Sequence, residues 1–532
     1  MVEANESPAS EKALTTVQGL DYPSGIRLAV IIVALVLTMF MVALDMTIVA
    51  TAIPRITDEF HSLDQVGWYG SAFFLTLATF QSTWGKLYKF WDLKFAFLAA
   101  GALFEIGSLI CGVAPNSTAL IVGRAIAGWG AAGLVGGCYT VIAFVAPPSK
   151  APRYTGLIGT SYATASVAGP LLGGAFTDGA TWRWCFYINL PIGGISLAIL
   201  AFFFRPPSHA RPVAAPLREK LQQLDLIGAA LTIGALVCFL LVMQWGGITM
   251  PWNSANVIGL LVGFGLLTLA LVASQFLQGE RAALAPRLIR PRVIYGVCVF
   301  VFFQSGANFL FTYYLPIYFQ AIDGMSAAAS GTRNLPFIVL SAIFAAVAGI
   351  AITRVGYFTA FLALGSAVFL IGSGLIYTLD IGSSASKYIG YQVLLGLGQG
   401  LAIQIPVIVG QAFSMMDDIA PVTAIVLFFQ MMGGAVFISA AESVFSNRLL
   451  PALAEYAPTV DAARVLSIGA TGLRSEFSTG DLPGILQAYM VALQDVFLFG
   501  TVTAACAFVA SWLAPPRSIL HGNRGSTTII AA

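Results

Sequence analysis

The sequence is built from long apolar runs that are separated by short polar connections. A helix needs about 20 largely apolar residues to cross the roughly 30 Å hydrocarbon core of a bilayer, and fourteen segments meet this requirement. A chain of 532 residues that is 58% hydrophobic and 9% charged is too apolar to fold as a soluble protein. These runs predict an all-α polytopic membrane protein. The predicted spans are 28–53, 66–84, 95–115, 119–145, 154–177, 183–204, 226–245, 255–276, 294–320, 334–352, 358–379, 388–413, 420–445 and 487–513.

The positions of the basic residues predict how the spans are oriented. An even number of spans places both termini on the same side of the membrane. With both termini in the cytosol, the cytosolic segments hold 18 of the 26 Lys and Arg residues and the outer segments hold 7. Basic residues favour the cytosolic side of a membrane. We therefore expect a monomeric integral protein of the plasma membrane with cytosolic termini, and a vacuolar membrane is the alternative.

Several classes of function are excluded by the composition and by missing motifs. The six cysteines lie in apolar runs without paired or ligand-like spacing, so the sequence predicts neither a disulfide framework nor a metal site. It contains no G-x-x-x-x-G-K-[ST] phosphate loop, and its 3 histidines are scattered. The sequence therefore indicates neither an enzyme, a cofactor nor a nucleic-acid partner. The expected partners are a small-molecule substrate, protons and the lipid bilayer, with transport driven by a gradient.

Two glycine-spaced helices suggest an internal repeat. Span four contains "GRAIAGWGAAGLVGG" (123–137), and span twelve contains "LGLGQGLAIQIPVIVGQ" (395–411). If spans seven and eight are set aside as an insertion, these two helices become the fourth helix of two six-span halves. Many carriers are duplicated bundles with the substrate site between the halves.

An ordered series of motifs resembles the major facilitator superfamily. The motifs are "LDMTIVATAIPRI" (44–56), "GKLYKFWDLK" (85–94), "LIVGRAIAGWGAA" (120–132) and "ASVAGPLLGG" (165–174). With fourteen spans and "TWRWCFYINLPIGG" (181–194), the chain is most similar to the fourteen-span drug:proton antiporters, particularly the fungal multidrug and toxin efflux members. The resemblance implies two six-helix halves with two additional central helices.

This architecture divides the chain into segments with predicted boundaries. They are a cytosolic tail (1–26), an N-terminal half (27–204), a cytosolic link (205–225), two additional helices (226–276), a second cytosolic link (277–293), a C-terminal half (294–513) with a long outer loop (446–486), and a cytosolic tail (514–532).

The loop between spans two and three departs from the family pattern, which reads Gly-x-Leu-Ala-Asp-Arg-x-Gly-Arg-Lys. Gly85 and Leu87 fit, but Lys89 stands at the Asp position and Asp92 at the second Gly position. The sequence leaves two interpretations open. Either this loop makes a different set of salt bridges or its lysines only enforce the topology. The charged residues concerned are Lys86, Lys89, Asp92 and Lys94.

Span five contains residues that weaken helices. Gly169, Gly173 and Gly174 allow close packing against another helix, and Pro170 removes one backbone hydrogen bond, which favours a kink. In the resembled family this motif is associated with antiporters. It implies a tight, bendable contact between span five and the facing helix of the other half. The alternative is ordinary helix packing with a tolerated proline.

Five ionisable residues lie within the predicted spans, where a charge at mid-bilayer costs about 2.5–3.5 kcal/mol. At 1.5 Å per residue, Asp45 lies about 12 Å and Arg124 about 7 Å below the outer ends of their helices. We therefore expect them to meet through a central cavity, where Arg124 adjusts the proton affinity of Asp45. The alternative is a static ion pair.

The other three buried acids are less clearly placed by the sequence. Glu105 is either a second proton site or a neutral acid in a helix contact. For Glu442 and Asp495 we expect a role at the membrane interface or at the mouth of the cavity.

Uncharged amides and aromatic residues predict the substrate cavity. In span nine, Gln304 and Asn308 are four residues apart and share a face with Phe311 and Tyr318. Spans twelve and thirteen add Gln399, Gln404 and Gln430. Such a lining suits bulky, mostly neutral compounds, although amides can equally join helices to each other.

Together these features predict a proton-coupled secondary transporter that exports amphiphilic drugs, toxins or secondary metabolites. One alternative is a carrier for a defined solute, such as a siderophore or a basic amino acid. Another is a nutrient sensor that does not transport.

Overall fold

The computed structural model describes residues 22–60 and 66–519, which are almost entirely α-helical. Each of the fourteen predicted segments coincides with a long helix. The helices are α1 (Gly25–Phe60), α2 (Val66–Phe90), α3 (Leu93–Gly112), α4 (Ser117–Val145), α5 (Ala151–Gly179), α6 (Trp184–Phe203), α7 (Leu226–Trp245), α8 (Ala255–Gln278), α9 (Arg292–Ala321), α10 (Leu335–Val355), α11 (Phe358–Tyr377), α12 (Ala385–Ala412), α13 (Ile419–Tyr456) and α14 (Leu482–Ala510).

In the described part of the chain, 12 of these helices are long and apolar enough to cross a membrane. The two others, α2 and α5, carry more Ser, Thr, Gly and Gln than their neighbours. Both pack on helices of the opposite half of the chain, α2 on α13 and α5 on α10. Protein neighbours rather than lipid therefore cover much of their surface, and small or polar residues are tolerated there.

The contacts between helices repeat with a shift of eight helices. In the first half, α1 packs on α5 and α6, α2 on α4, and α3 on α4 and α6. In the second half, α9 packs on α13 and α14, α10 on α12, and α11 on α12 and α14. The two largest contacts between the halves, α2 with α13 and α5 with α10, are also equivalent under this shift. The contacts therefore relate two sets of six helices, α1–α6 and α9–α14.

The helix pair α7–α8 lies outside this repeat and packs mainly on itself, with smaller contacts to α2 and α13. Asp225, which precedes α7, joins the start of α7 to the end of α8. Its backbone is in the left-handed conformation, with φ 47°. The carboxylate of Asp225 accepts hydrogen bonds from the Gly228 and Ala283 backbone amides and from the Gln275 and Gln278 side chains, all at 2.7–2.8 Å. This contact closes the pair at the end where the links to both halves begin.

The two ends of the bundle differ in charge. The end that carries the start of α1, the end of α2 and the turn between α12 and α13 is the one predicted to be cytosolic, and we refer to it as the basic end. At the other end, the predicted loop 446–486 is largely helical. The helix α13 continues to Tyr456 because Leu449 and Leu453 are buried in the core, and a short helix, Ala462–Glu476, follows. The predicted tails are 1–26 and 514–532, and their residues 1–21 and 520–532 lie outside the described residues.

Candidate transport site

Asp45 and Arg124 form a buried ion pair inside the N-terminal half. Arg124 Nη1 lies 2.5 Å from Asp45 Oδ2, and the two side chains are 1% and 0% exposed. Arg124 Nε donates to the Tyr69 carbonyl at 2.9 Å, and Asn189 donates to Asp45 Oδ1 at 2.9 Å. The guanidinium carbon also lies 4.3 Å from the centre of the Phe73 ring. The pair therefore joins α1, α2, α4 and α6, and each charge is compensated by hydrogen bonds, as burial requires.

A central cavity lies between the two halves. Eight helices supply its walls, four from each half. The described lining contains no Asp, Glu, Lys or Arg. It consists of methionine, aromatic, small and uncharged polar residues, including Met39, Met46, Met431, Phe74, Phe309, Phe337, Tyr139, Tyr162, Tyr313, Asn308, Gln399, Gln404 and Gln430. Such a wall suits an uncharged molecule with aromatic surface.

The ion pair does not face this cavity. Met46 and Thr47, which follow Asp45 in α1, line the cavity, and so does Phe74, next to the ring that stacks on Arg124. Asp45 itself points the other way, toward α4 and α6. The prediction that the pair meets through a central cavity is therefore wrong, although the two residues do meet. Counting residues along a helix gives the depth of a side chain but not its direction.

Four of the seven predicted cavity residues lie on its wall, namely Asn308, Gln399, Gln404 and Gln430. Gln304, Phe311 and Tyr318 do not, contrary to the prediction. These three are seven residues apart and form one stripe of α9, which faces the interior of the C-terminal half. The neighbouring stripe of α9 faces the cavity and includes Ser305, Asn308, Phe309, Thr312 and Tyr313.

The contacts of the three misplaced residues are structural. Gln304 is fully buried and donates to Gln399 Oε1 at 2.7 Å. The Phe311 ring packs at 6.0–6.1 Å between the rings of Phe369 and Phe497. The Tyr318 hydroxyl donates to the Asp380 carbonyl at 2.9 Å.

Sequence reasoning missed the tyrosines of the cavity. Tyr139 and Tyr162 come from α4 and α5, and Tyr313 comes from α9. Tyr313 was detectable, because it follows Thr312, which is one turn beyond Asn308. Tyr162 has a similar signal, because Ser166 lies one turn beyond it and also lines the cavity.

The cavity is closed at the basic end by contacts between the halves. The Tyr139 hydroxyl donates to Gln404 Oε1 at 3.1 Å, and Gln411 donates to the Tyr139 carbonyl at 3.1 Å. A Cβ atom at Gly85 of α2 would overlap Ala424 of α13. The backbone of α2 at Gly85 is therefore in direct contact with α13, and the two halves are tightly packed here.

Charged residues complete this closure. Lys89 of α2 lies 2.7 Å from Asp418, which precedes α13, and Asp418 also accepts from Arg287 at 3.0 Å. Arg287 belongs to the link that follows α8, and Glu280 of the same link lies 2.7 Å from it. We refer to Lys89, Asp418 and Arg287 as the gate triad. It connects the N-terminal half, the C-terminal half and the link of the additional helix pair.

Three comparisons with known proteins agree with this architecture. The model of the Major Facilitator Superfamily matches residues 35–440. The chain belongs to the major facilitator superfamily. It is 46% identical to the MFS-type transporter grgE of Penicillium sp, over 98% of this chain and 91% of that protein. It is also 46% identical to the probable efflux pump gsfJ of Penicillium aethiopicum, over 92% of this chain and 89% of the pump. The protein is an integral membrane transporter, not an enzyme.

Solved structures support the fold at low sequence identity. The crystal structure of the human organic anion transporter MFSD10 matches with a TM-score of 0.59 and 12% identity, over 92% of this chain and 100% of that chain. The proton:xylose symporter XylE matches with a TM-score of 0.58 and 11% identity, over 90% of this chain and 94% of that chain. At these identities the likeness concerns the fold alone.

The loop between α2 and α3 of this transporter does make a different set of contacts from the family pattern. Besides the bond from Lys89, Lys94 donates to the Ala201 carbonyl at 2.5 Å, and Asp92 caps α3 through the Lys94 and Phe95 amides. Leu87 is partly buried against the hydrophobic core. Of the two interpretations that the sequence left open, the structure shows the salt bridge, and it runs between the halves.

Lys86 occupies a buried position just beyond the predicted span 66–84. Its ammonium donates to Gln223 Oε1 at 3.0 Å and to the Glu280 carbonyl at 2.5 Å, so it binds both links of the helix pair. Burial lowers the pKa of Lys86 from its ordinary value of 10.5 to about 8.

The glycine motif of α5 packs inside the N-terminal half. Cβ atoms at Gly169 and Gly173 would overlap Thr47 and Thr51 of α1, whereas one at Gly174 would meet open space. The expected contact with the other half is therefore wrong for this motif. The helix continues through Pro170 to Gly179. The other half is contacted by different residues of α5: Thr160 donates to the Ala342 carbonyl at 3.1 Å, and Ala163 and Val167 pack against the core of the C-terminal half.

The remaining acids of the predicted spans lie in three different environments. Both carboxylate oxygens of Glu105 are buried without a hydrogen-bond partner among the described residues. Glu105 lies against Gly193 of α6, at which a Cβ atom would overlap Glu105 Oε1. Glu442 is exposed on α13, and Asp495 pairs with the exposed Arg448 at 3.0 Å.

Proposed function

We propose that this transporter exports bulky, uncharged, amphiphilic organic compounds in exchange for protons. The observation that carries the proposal is the separation of two sites in one bundle. An uncharged cavity between the halves suits the cargo, and a buried acid–base pair, one residue away from the cavity wall, suits the proton. The names of similar proteins, such as the MFS-type efflux pump MFS1 of Arthroderma benhamiae at 42% identity over 92% of both chains, support export as the direction.

The cavity wall favours neutral cargo over the alternatives. A basic amino acid needs a carboxylate partner in a buried site, and an anionic siderophore complex needs a cation. The described lining offers neither. Methionine side chains adapt to different shapes, and tyrosines and amides supply hydrogen bonds, which suits drugs, toxins or secondary metabolites. A sensor without transport is disfavoured by the similarity to proteins named as transporters and pumps.

For the proton, we propose that Asp45 carries it and that Arg124 controls its release. A guanidinium in contact with a carboxylate favours the ionised carboxylate, and separating the two favours its protonation. Met46 and Phe74 line the cavity next to Asp45 and Phe73, so cargo that moves these side chains also moves the ion pair. Glu105 lies one turn of α3 from Ser108, which accepts a hydrogen bond from Asn189, the partner of Asp45. We propose Glu105 as a second proton site.

The basic end is proposed to face the cytosol, with both termini inside the cell and all fourteen long helices crossing the plasma membrane as a monomer. The Lys and Arg count supports this orientation, and the fourteen-span drug:proton antiporters are the proposed subfamily. The structure then represents the state that is closed toward the cytosol. Opening would break the gate triad and the bond between Tyr139 and Gln404.

Transport by purified protein in liposomes tests this function. With an acidic lumen, so that the proton gradient is directed outward, and with the basic end facing out, fluorescent neutral amphiphiles should accumulate inside against their concentration gradient. The accumulation should stop when a protonophore collapses the gradient. Equal accumulation with and without the gradient would exclude proton coupling, and uptake restricted to cationic dyes would exclude the proposed cargo class.

A further inference from the structure

Gln404 occupies a position that belongs both to the cavity wall and to the contact between the halves. It lies where α12 is interrupted between Ile403 and Ile405, just before Pro406, which has no backbone N–H to continue the helix. The side chain is 5% exposed and lines the cavity. A glutamine at a helix break in the contact zone can therefore meet cargo from one side and the opposite half from the other.

The two ends of the Gln404 amide have different surroundings. Its oxygen accepts the hydrogen bond from the Tyr139 hydroxyl of α4. Its nitrogen lies against Gly159 of α5, where any Cβ atom would overlap it. Among the described residues, no acceptor is bonded to this nitrogen. The N–H groups of the Gln404 amide are therefore available to donate a hydrogen bond to cargo.

Tyr139 is itself held in place by the C-terminal half. Its carbonyl accepts from Gln411, which also donates to Thr423 at 3.2 Å. Because α4 and α12 belong to different halves, the bond between Tyr139 and Gln404 forms only when the basic end closes. Closure thus fixes the orientation of the amide.

We propose that Gln404 is a specificity-determining residue that donates a hydrogen bond to an acceptor oxygen of the cargo, and that Tyr139 is the positioning residue that orients it. This inference rests on the proposed function, because it takes the cavity as the cargo site. Its consequence is selective. Aromatic compounds with a carbonyl oxygen bind and stabilise the closed state. Compounds of the same shape without such an oxygen bind to the cavity but do not stabilise the closed state.

Binding of two matched probes to the detergent-purified protein tests the proposal. 9,10-Anthraquinone and anthracene are both neutral and have the same three-ring frame, but only anthraquinone has acceptor oxygens. A net hydrogen bond corresponds to roughly a 5–10-fold difference in Kd. We expect the wild-type protein to prefer anthraquinone by about this factor, and Gln404→Leu to lose the preference while its affinity for anthracene is kept.

Two further variants test whether the orientation of the Gln404 amide determines the preference, and two others are controls. Tyr139→Phe should reduce the preference because the amide is no longer oriented, and Gly159→Ala should reduce it because the methyl group displaces the amide nitrogen. Gly174→Ala, in the same helix but facing open space, should keep the preference. Gln430→Leu, which removes a different amide from the wall, should also keep it.

The outcomes distinguish this inference from the proposed function. If Gln404→Leu retains the preference, or if Gln430→Leu alone abolishes it, the assignment to Gln404 is wrong while the proposed function stands. If neither probe binds to the wild-type protein, the proposed cargo class is wrong and the inference falls with it.

Discussion

Lys89 Nζ lies 2.7 Å from Asp418 Oδ1, and this ion pair connects the two halves at the basic end. The pair has the opposite polarity to the one that the resembled family pattern implies, since Lys89 occupies the position where that pattern has an acid. The acid is supplied instead by the turn before α13. Arg287 shares the same carboxylate, so the link of the additional helix pair takes part in closing the basic end.

Reversing the charges of Lys89 and Asp418 should preserve transport only if the charge of Arg287, the third member of the gate triad, is removed as well. Lys89→Asp places two acids together, and we expect transport to fall by roughly 10-fold. Adding Asp418→Lys restores the pair but places a second cation beside Arg287, so activity should remain low. Adding Arg287→Gln as a third change should restore most of the transport.

Initial rates in liposomes with equal protein content measure this series. Arg281→Gln is the matched control, because Arg281 pairs with Glu219 in the exposed part of the links. Full recovery in the double reversal, without a change at Arg287, would show that the link takes no part in the gate.

Substitutions on neighbouring stripes of α9 should affect different properties. Asn308→Leu, on the cavity wall, should change KM for cargo by at least about 5-fold, the equivalent of one hydrogen bond, with little change in thermal stability. Phe311→Ala, in the core, should lower the free energy of unfolding by about 3–5 kcal/mol and leave KM nearly unchanged. Transport kinetics and thermal unfolding in detergent measure the two effects, and an exchange of these phenotypes would contradict the assignment of the stripes.

Glu105 and Gly193 should show strongly non-additive effects on stability. Gly193→Ala introduces a methyl group that overlaps Glu105 Oε1, so we expect a marked loss of thermal stability. In the Glu105→Ala background the methyl group meets only the Met41 side chain, which is flexible, so its cost should be much smaller. Thermal unfolding of the two single variants and the double variant measures this coupling. Additive losses would mean that the close contact does not exist in the folded protein.

Closure of the basic end should depend on pH through Lys86. In the closed state the pKa of Lys86 is lowered to about 8, and on opening it returns toward 10.5 as the side chain is hydrated. Closing therefore releases a proton between these values, so closure should become more favourable as pH rises from about 8 to 10.5. Below pH 8 the cost of burying the charge is constant.

Cross-linking of a cysteine pair placed across the basic end, measured between pH 7.5 and 10, follows this closure. Lys86→Met should remove the pH dependence. Lys94→Met is the control, because Lys94 bonds within the N-terminal half. A pH dependence that persists in Lys86→Met would assign it to another group.

The sequence predicted the helices well and the directions of side chains poorly. Apolar runs of about 20 residues are imposed by the thickness of the bilayer, so each predicted segment coincides with a helix. The pairing of Asp45 with Arg124 was also predictable, because two opposite buried charges at similar depth must be compensated. Their orientation away from the cavity was not, since it depends on how α1 is rotated against α4 and α6.

Rotation of helices also explains the other differences. Gln304 and Asn308 are close on α9, yet the boundary between the core and the cavity wall passes between them. Gly169 and Gly173 allowed a close helix contact, and the sequence could not show that the partner is α1 rather than a helix of the other half. The sequence does not mark Asp418 as a gate residue, because it lies more than 300 positions from Lys89 in the chain.

Cargo-driven proton movement in the Asp45→Asn variant tests the proton-coupling mechanism most directly. Liposomes that contain a trapped pH dye report the proton flux when a neutral cargo gradient is applied. Asp45→Asn should still bind cargo but should produce no proton flux above that of protein-free liposomes, whereas Asp495→Asn, which removes an acid paired with the exposed Arg448, should behave as wild type. An undiminished proton flux in Asp45→Asn would contradict the account.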